Sequence, residues 1–337
     1  NVAIGYEALF NNTANNITAV GHDCLKDNSS GTANVALGYR ALTSNTTASH
    51  NTAVGHNALA VNTTGAANIA IGSESLAANS TASSGTGVGY LALNANTTGA
   101  SNTGVGRSAL AVNTTGASNV AVGSGALDAN ISGNNNTAVG TQALGESTTA
   151  DNNVAVGYAA LDANITGPSN TAVGTSALTA NTTAGNNTAL GKSAGAATTT
   201  GSENTFIGSL SGDVNTTGAN NTSLGYIALS TASEADNNTA VGHAALYLNT
   251  TGADNTAVGK SALAAATTAS GNTAVGINAG NTITTGTYNV AIGFNAQPTA
   301  VGSAGQFTMG DTNITNLRCN VQTISSLSDS RDKTDVI

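Results

Sequence analysis

Apolar and polar positions alternate within a short pentapeptide that recurs along the chain. A representative copy runs from Asn51 to Gly55, and the residue just before its glycine is Val, Ile or Leu in all eighteen copies. The residue three before the glycine is Thr, Val or Ile in every copy, and the residue between them is mostly Ala. This alternation predicts a β-strand with β-branched side chains on one face and a tiny side chain on the other. We expect the aliphatic face to fill the interior and the small face to allow close approach of another backbone layer.

The pentapeptide glycine, called here the anchor glycine, recurs at a fixed interval. Every spacing is 17 residues except the first, which is 16. The anchors are Gly5, Gly21, Gly38, Gly55, Gly72, Gly89, Gly106, Gly123, Gly140, Gly157, Gly174, Gly191, Gly208, Gly225, Gly242, Gly259, Gly276 and Gly293. A fixed short period is the mark of a repeat architecture. The sequence therefore predicts an all-β fold, a β-solenoid or parallel β-roll of 17-residue coils.

The remaining positions of the repeat predict how each coil turns. Asn stands four residues before the anchor in sixteen of eighteen copies and suits a turn that enters a strand, while the anchor glycine suits a positive φ at the exit. An Ala-Leu pair, as at Ala58-Leu59, predicts a second, short strand, and the segment 62–65 (Asn-Thr-Thr-Gly) predicts the opposite turn. At about 4.8 Å per coil, the array would form a rod on the order of 80 Å long.

Composition and charge narrow the class of partner. Only 7% of residues are charged, the net charge is −9 and the pI is near 4.6, which disfavours nucleic acid and anionic membranes as partners. No apolar run is long enough to insert in a membrane. The four histidines show no metal-ligand spacing, so we expect neither metal nor cofactor. Because so narrow a coil buries little apolar surface, we expect the chains to associate along the rod as a homotrimer.

Two resemblances add to this interpretation. The pentapeptides of residues 1–293 resemble the head repeats of trimeric autotransporter adhesins, which implies a trimeric β-roll shaft over that range. The segment 307–337 resembles the entry to the C-terminal intramolecular chaperone domain of phage tail fibres, tail spikes and endosialidases. That resemblance implies a β-rich connector over 294–327 and the start of the chaperone domain over 328–337.

The chaperone resemblance also implies an auto-processing pair. The motif Ser-Asp-x-Arg-x-Lys stands at residues 328–333, so Ser328 would be the nucleophile, Lys333 its base and Ser328–Asp329 the bond that is cut. The family requires a further domain after this motif. We therefore expect cleavage only in a longer precursor and no enzymatic activity from the present chain.

The position after the anchor glycine carries the candidate ligand-binding residues. Aromatic rings exposed on a rod can stack on the faces of sugars. The candidates are Tyr6, Tyr39, Tyr90, Tyr158 and Tyr226. The alternative is that this position lies at the edge of the rod and accepts any amphipathic side chain.

The sequence thus predicts a structural protein: the extracellular, trimeric fibre shaft of a phage or phage-like virion that supports attachment to a host-surface glycan or protein. The first alternative is the head of a bacterial trimeric surface adhesin. A second alternative is an ice- or glycan-binding β-solenoid, although the recurrent Thr pairs follow a turn asparagine and do not form an alternating Thr-x-Thr strand.

Overall fold

A computed structural model describes residues 1–316 as one parallel sheet of nineteen three-residue strands, in which each strand pairs with the next along the chain. The strands are β1 (Val2–Ile4), β2 (Thr18–Val20), β3 (Val35–Leu37), β4 (Thr52–Val54), β5 (Ile69–Ile71), β6 (Thr86–Val88), β7 (Thr103–Val105), β8 (Val120–Val122), β9 (Thr137–Val139), β10 (Val154–Val156), β11 (Thr171–Val173), β12 (Thr188–Leu190), β13 (Thr205–Ile207), β14 (Thr222–Leu224), β15 (Thr239–Val241), β16 (Thr256–Val258), β17 (Thr273–Val275), β18 (Val290–Ile292) and β19 (Phe307–Met309).

The register of the sheet confirms the 17-residue coil. Ala53 of β4 is paired with Ala70 of β5, and the shift of 17 residues recurs at each step from β2 onward. The first step is 16, with Val2 opposite Thr18, as the anchor spacing requires. The chain is therefore a parallel β-solenoid in which equivalent residues of successive coils stack in columns.

The expected orientation of the strands is wrong. Val139, Val156 and Val173 stack on one another in register, but they lie on the outer face, and Val139 is 37% exposed. The central alanine of the strand faces the interior instead, as at the fully buried Ala138 and Ala155. The small side chain points inward and the aliphatic side chains point outward.

The reason for the reversal is the leucine that stands four residues after most anchors. Leu59 and its equivalents form a fully buried column that occupies the interior opposite the strand. At Gly104, which replaces the central alanine of its strand, an added Cβ would lie 3.2 Å from Cγ of Leu93. The space opposite a leucine thus admits a methyl group and little more, which excludes Val or Ile from the inward position.

The Ala-Leu segment is not the second short strand that the sequence predicts. Its backbone visits the left-handed region at alternate residues, with φ of 54° at Asn57 and 51° at Leu59. Asn57 N–H donates to the carbonyl of Tyr39 in the preceding coil, and Leu59 N–H donates to that of Ser75 in the following coil. This segment is a continuous turn that hydrogen-bonds to both neighbouring coils.

The anchor glycines have the positive φ that the sequence predicts. Gly157 has φ of +134°, and a Cβ added there would lie 2.6 Å from the carbonyl oxygen of Gly174 in the next coil. Both the dihedral angle and the close approach of the next backbone therefore require glycine at this position. At the other end of the array, β19 pairs with β18, so the sheet continues for one strand beyond the last anchor.

Candidate functional surfaces

The outer face of the sheet, called here the strand face, carries two columns of side chains and no charged residue. One column is the aliphatic residue before the anchor, and large members such as Leu37 and Leu190 are nearly half exposed. The other column holds the first residue of each strand, which is Thr in twelve of the eighteen repeats. An uncharged, regular, partly aliphatic surface of this length is typical of surfaces that contact another molecule.

Two columns of buried asparagine hold the coils together from within. In the first column, four residues before the anchor, Asn51 N–H donates to Oδ1 of Asn34, and Asn51 Nδ2 donates to the carbonyl of Gly65. In the second column, seven residues after the anchor, Asn62 Nδ2 donates to Oδ1 of Asn45 and to the same Gly65 carbonyl. Each coil is thereby closed across its width and bonded to the coil before it.

Interruptions of the second column leave hydrogen-bond acceptors without donors. Ser147, Thr198, Ala232 and Ala266 replace asparagine, and the asparagine one coil earlier then has no partner for its Oδ1 within residues 1–316. The four affected residues are Asn130, Asn181, Asn215 and Asn249. A buried carbonyl oxygen without a donor costs stability, so these coils are the weaker parts of the column.

One aromatic side chain replaces two leucines inside the solenoid. Phe206 stands where other strands have the central alanine, and it is fully buried. The leucine positions of its own coil and of the coil before it are Gly212 and Gly195, and a Cβ at Gly195 would lie 2.6 Å from Cδ2 of Phe206. The phenyl ring therefore occupies interior space that the two leucine side chains fill in other coils.

The five candidate tyrosines all lie exposed on one column, but in two different settings. Tyr6 and Tyr39 belong to a stack with His22 and His56, with ring centroids 4.9 to 5.4 Å apart. The neighbouring rings cover both faces of Tyr39 and leave its edge to solvent. Tyr226 has one ring beside it, that of His243, tilted by 37° at 5.7 Å.

Tyr90 and Tyr158 have no aromatic partner among residues 1–316. The equivalent positions in the coils before and after Tyr158 are Thr141 and Thr175, whose side chains are too small to cover a phenol ring. Tyr158 is 56% exposed. The structure thus separates tyrosines with open faces from tyrosines whose faces are occupied.

Four titratable groups show how charge and burial act on the solenoid. Burial, together with the neighbouring Glu146 and Asp128, raises the pKa of Asp162, and burial likewise raises that of Asp128. The hydrogen bond from Lys26 lowers the pKa of Glu7 on the surface. Cys24 is buried at the repeat position that holds Ala58 in a later coil, and burial raises its thiol pKa to about 11.

The remaining candidates are a metal site, a membrane-spanning helix and the predicted auto-processing pair. Within residues 1–316, no group of three or more His, Cys, Asp and Glu side chains is arranged to hold a metal ion. No helix in that part of the chain is long and apolar enough to cross a membrane. Ser328 and Lys333, the predicted auto-processing pair, lie outside the described residues.

The buried asparagine columns are the feature that the sequence analysis missed. Asparagine was expected at turns, where it is usually exposed, and not in the interior. The signal is present in the sequence, because Asn stands seven residues after twelve of the eighteen anchors. Polar residues that recur in register in successive coils can satisfy one another by stacking.

Comparisons with known proteins assign this chain to no family, so its class is defined by the fold alone. No protein-family model matches this chain, and no curated protein is significantly similar to it. The chain is a parallel β-solenoid of 17-residue coils with an interior of Leu, Ala and Asn.

Proposed function

We propose that this chain is a self-assembling structural shaft, the trimeric fibre of a phage or phage-like particle, which supports attachment to a host surface. The observation that carries the proposal is the strand face, an uncharged surface with a continuous outward column of Val, Ile and Leu. Copies of the chain have the same 17-residue repeat, so a second and a third copy would match this column along its whole length.

The geometry favours association between copies over a local binding site. The outward aliphatic column is nearly half exposed at Leu37 and Leu190. If strand faces met around a common axis, this apolar surface would be removed from water, which is favourable. Because the strand face carries no charge, no ion is desolvated when such an interface forms. The internal asparagine columns give each rod the regularity that contact along its full length requires.

The test is the mass of the purified chain in solution, measured by light scattering. The proposal predicts three times the chain mass of 32.5 kDa. A mass of one chain at micromolar concentration would contradict it. A mass of two chains would be consistent with association through the strand face but would refute the trimer.

The resemblance of residues 328–333 to the chaperone entry supports the phage fibre over the adhesin head. Expression of the complete reading frame tests the choice, because a fibre precursor would be cut after Ser328. The Ser328→Ala and Lys333→Ala variants should then remain uncut while still assembling. A reading frame that continues into a membrane anchor would favour the adhesin.

The reversed strand face also favours a second candidate, an ice-binding β-solenoid. Seven successive strands, β11 to β17, begin with Thr, and these hydroxyl groups lie in one outward column beside the aliphatic column. Hydroxyl groups both donate and accept hydrogen bonds, so a regular array of them can order water. Inhibition of ice growth by a chain of single-copy mass would support this candidate in place of the shaft.

A further inference from the structure

We propose that Tyr158 is the stacking platform of a binding site for a neutral sugar, and that Tyr90 and Tyr226 repeat this platform along the rod. The inference rests on the proposed attachment function and names the class of ligand. It also excludes Tyr39 as a platform, because neighbouring rings cover both of its faces. Tyr90 and Tyr158 have no aromatic neighbour within residues 1–316, and Tyr226 has one.

The first step is the availability of the ring face. A sugar stacks on the face of an aromatic ring, which must be open over the area of a pyranose. His22 and His56 lie 5.4 Å from Tyr39 on its two sides, so both of its faces are occupied. Tyr158 is flanked by the equivalent residues Thr141 and Thr175, and more than half of it is exposed.

The second step is the chemistry around the ring. The positions that flank Tyr158 in its own and the adjacent coils carry no charge, and all but Ala159 have a hydroxyl or amide side chain: Thr141, Gln142, Thr175 and Ser176. Such groups donate and accept hydrogen bonds to sugar hydroxyls without requiring an ionic ligand. Tyr90 differs in having Arg107 in the next coil, and Tyr226 in having His243. Tyr158 is therefore the platform best suited to a neutral sugar.

The third step is the spacing of the platforms. Tyr90, Tyr158 and Tyr226 lie 68 residues apart in sequence, which is four coils of 17. Four coils separate neighbouring platforms by roughly 19 Å along the same side of the rod. A linear polysaccharide that runs along the rod could contact two platforms at once and gain avidity from the second contact.

The experiment is saturation-transfer NMR and calorimetry on the full chain with linear tetrasaccharides of glucose, galactose and N-acetylglucosamine. At least one of these sugars should receive saturation from the protein. With the other two platforms removed by Tyr90→Ala and Tyr226→Ala, its affinity should fall roughly fivefold or more when Tyr158→Ala is added. Tyr39→Ala is the matched control, because it removes an exposed tyrosine with covered ring faces from the same column and should leave affinity unchanged.

Three results would overturn the inference: no binding of any of the three sugars, equal binding when Tyr158→Ala is added, or an equal loss in Tyr39→Ala. The polysaccharide of the same sugar should bind more tightly than the tetrasaccharide, and this gain should disappear in the double variant Tyr90→Ala/Tyr226→Ala. A gain that persists in the double variant would refute the repeated platform. Light scattering on the same samples distinguishes failure of the sugar site from failure of the proposed trimeric shaft. The mass of a single chain together with intact sugar binding would refute the shaft but support the sugar site.

Discussion

At the scale of the residue, the second asparagine column shows how one polar side chain supports the next. Where asparagines follow one another in successive coils, Nδ2 of one donates to Oδ1 of the asparagine in the coil before it, as at Asn62 and Asn45. A missing member therefore affects two neighbours. Ser147 interrupts the column between Asn130 and Asn164, and neither Ser147 Oγ nor Asn130 Oδ1 has a partner within residues 1–316. The interruption therefore leaves an acceptor unsatisfied in a part of the chain that is otherwise closely bonded.

Ser147→Asn should stabilise the chain because it joins the two segments of the column. The new side chain would donate to Asn130 and accept from Asn164, and a buried hydrogen bond contributes about 1 kcal/mol. Ala266→Asn is the control. The new asparagine would donate to Oδ1 of Asn249, but Ile283 in the next coil could not donate to the new Oδ1, so one oxygen would still lack a partner. Thermal unfolding should show a higher midpoint for Ser147→Asn and little change for Ala266→Asn. Equal effects of the two would argue against the column as a source of stability.

Phe206 and its two glycines give a second prediction at this scale. Phe206→Ala leaves a cavity and should lower the free energy of unfolding by about 3–5 kcal/mol. Adding Gly195→Leu and Gly212→Leu restores the pattern of the other coils and should recover most of that loss. Either leucine substitution in the presence of Phe206 should be destabilising, because the ring occupies its space. Denaturant unfolding of the single and triple variants measures the coupling, and simple additivity would contradict the packing described here.

Asp162 provides a prediction of pH dependence. Its folded-state pKa is raised by burial and by Glu146 and Asp128, so the folded chain binds this proton more tightly than the unfolded chain does. The resulting contribution to stability is present below the unfolded-state pKa and is lost as pH rises through the folded-state pKa. Asp162→Asn should therefore raise the unfolding midpoint at pH 7 and weaken its dependence on pH between 4 and 7.

Glu7 is the control of opposite sign. Its pKa is lowered by Lys26, so its contribution is present above the unfolded-state pKa and is lost as pH falls. Glu7→Gln should lower the midpoint slightly at pH 7, and the effect should be small because solvent reaches and screens this partly exposed pair. If both variants shifted the midpoint in the same direction at pH 7, the assigned pKa shifts would be wrong.

At the scale of the element, the strand has two faces of unequal size, and the smaller one is inside. Ala155→Asp should prevent folding, because it places an unpaired charge in an interior with no space or partner for it. Val156→Asp, one residue later, should leave the single-chain fold intact, since its side chain points outward, and should abolish association through the strand face. Circular dichroism and light scattering on the two variants separate these outcomes. If Val156→Asp prevented folding and Ala155→Asp did not, the aliphatic side chains would have to face the interior, contrary to the orientation described here.

The sequence predicts the period, the position of the strand and the glycine at its exit, because each of these depends on local backbone geometry. It does not predict which strand face is inside. Alternation of Ala and Val defines two faces, and the usual preference for burying the larger one favours the wrong choice here. The deciding residue is the leucine four positions after the anchor, whose side chain already fills the interior. Tyr158 and Tyr39 are likewise equivalent in sequence, and only the neighbouring coils distinguish them.

At the scale of the whole molecule, the coil is the unit that repeats and the rod is its consequence. Each coil contacts its neighbours through the sheet, the two asparagine columns and the leucine column, so the chain forms an elongated body without a central globular core. Length then depends on the number of coils, and lateral contact depends on the strand face. A shaft requires both a regular length and association between copies.

Small-angle X-ray scattering of the purified chain tests this account most directly, because one profile gives the length of the particle and its mass. The account predicts a rod with a length on the order of 80 Å, set by the rise of about 4.8 Å per coil. The mass should be three times 32.5 kDa. A compact particle would contradict the solenoid, and a rod of the predicted length with the mass of a single chain would contradict the shaft.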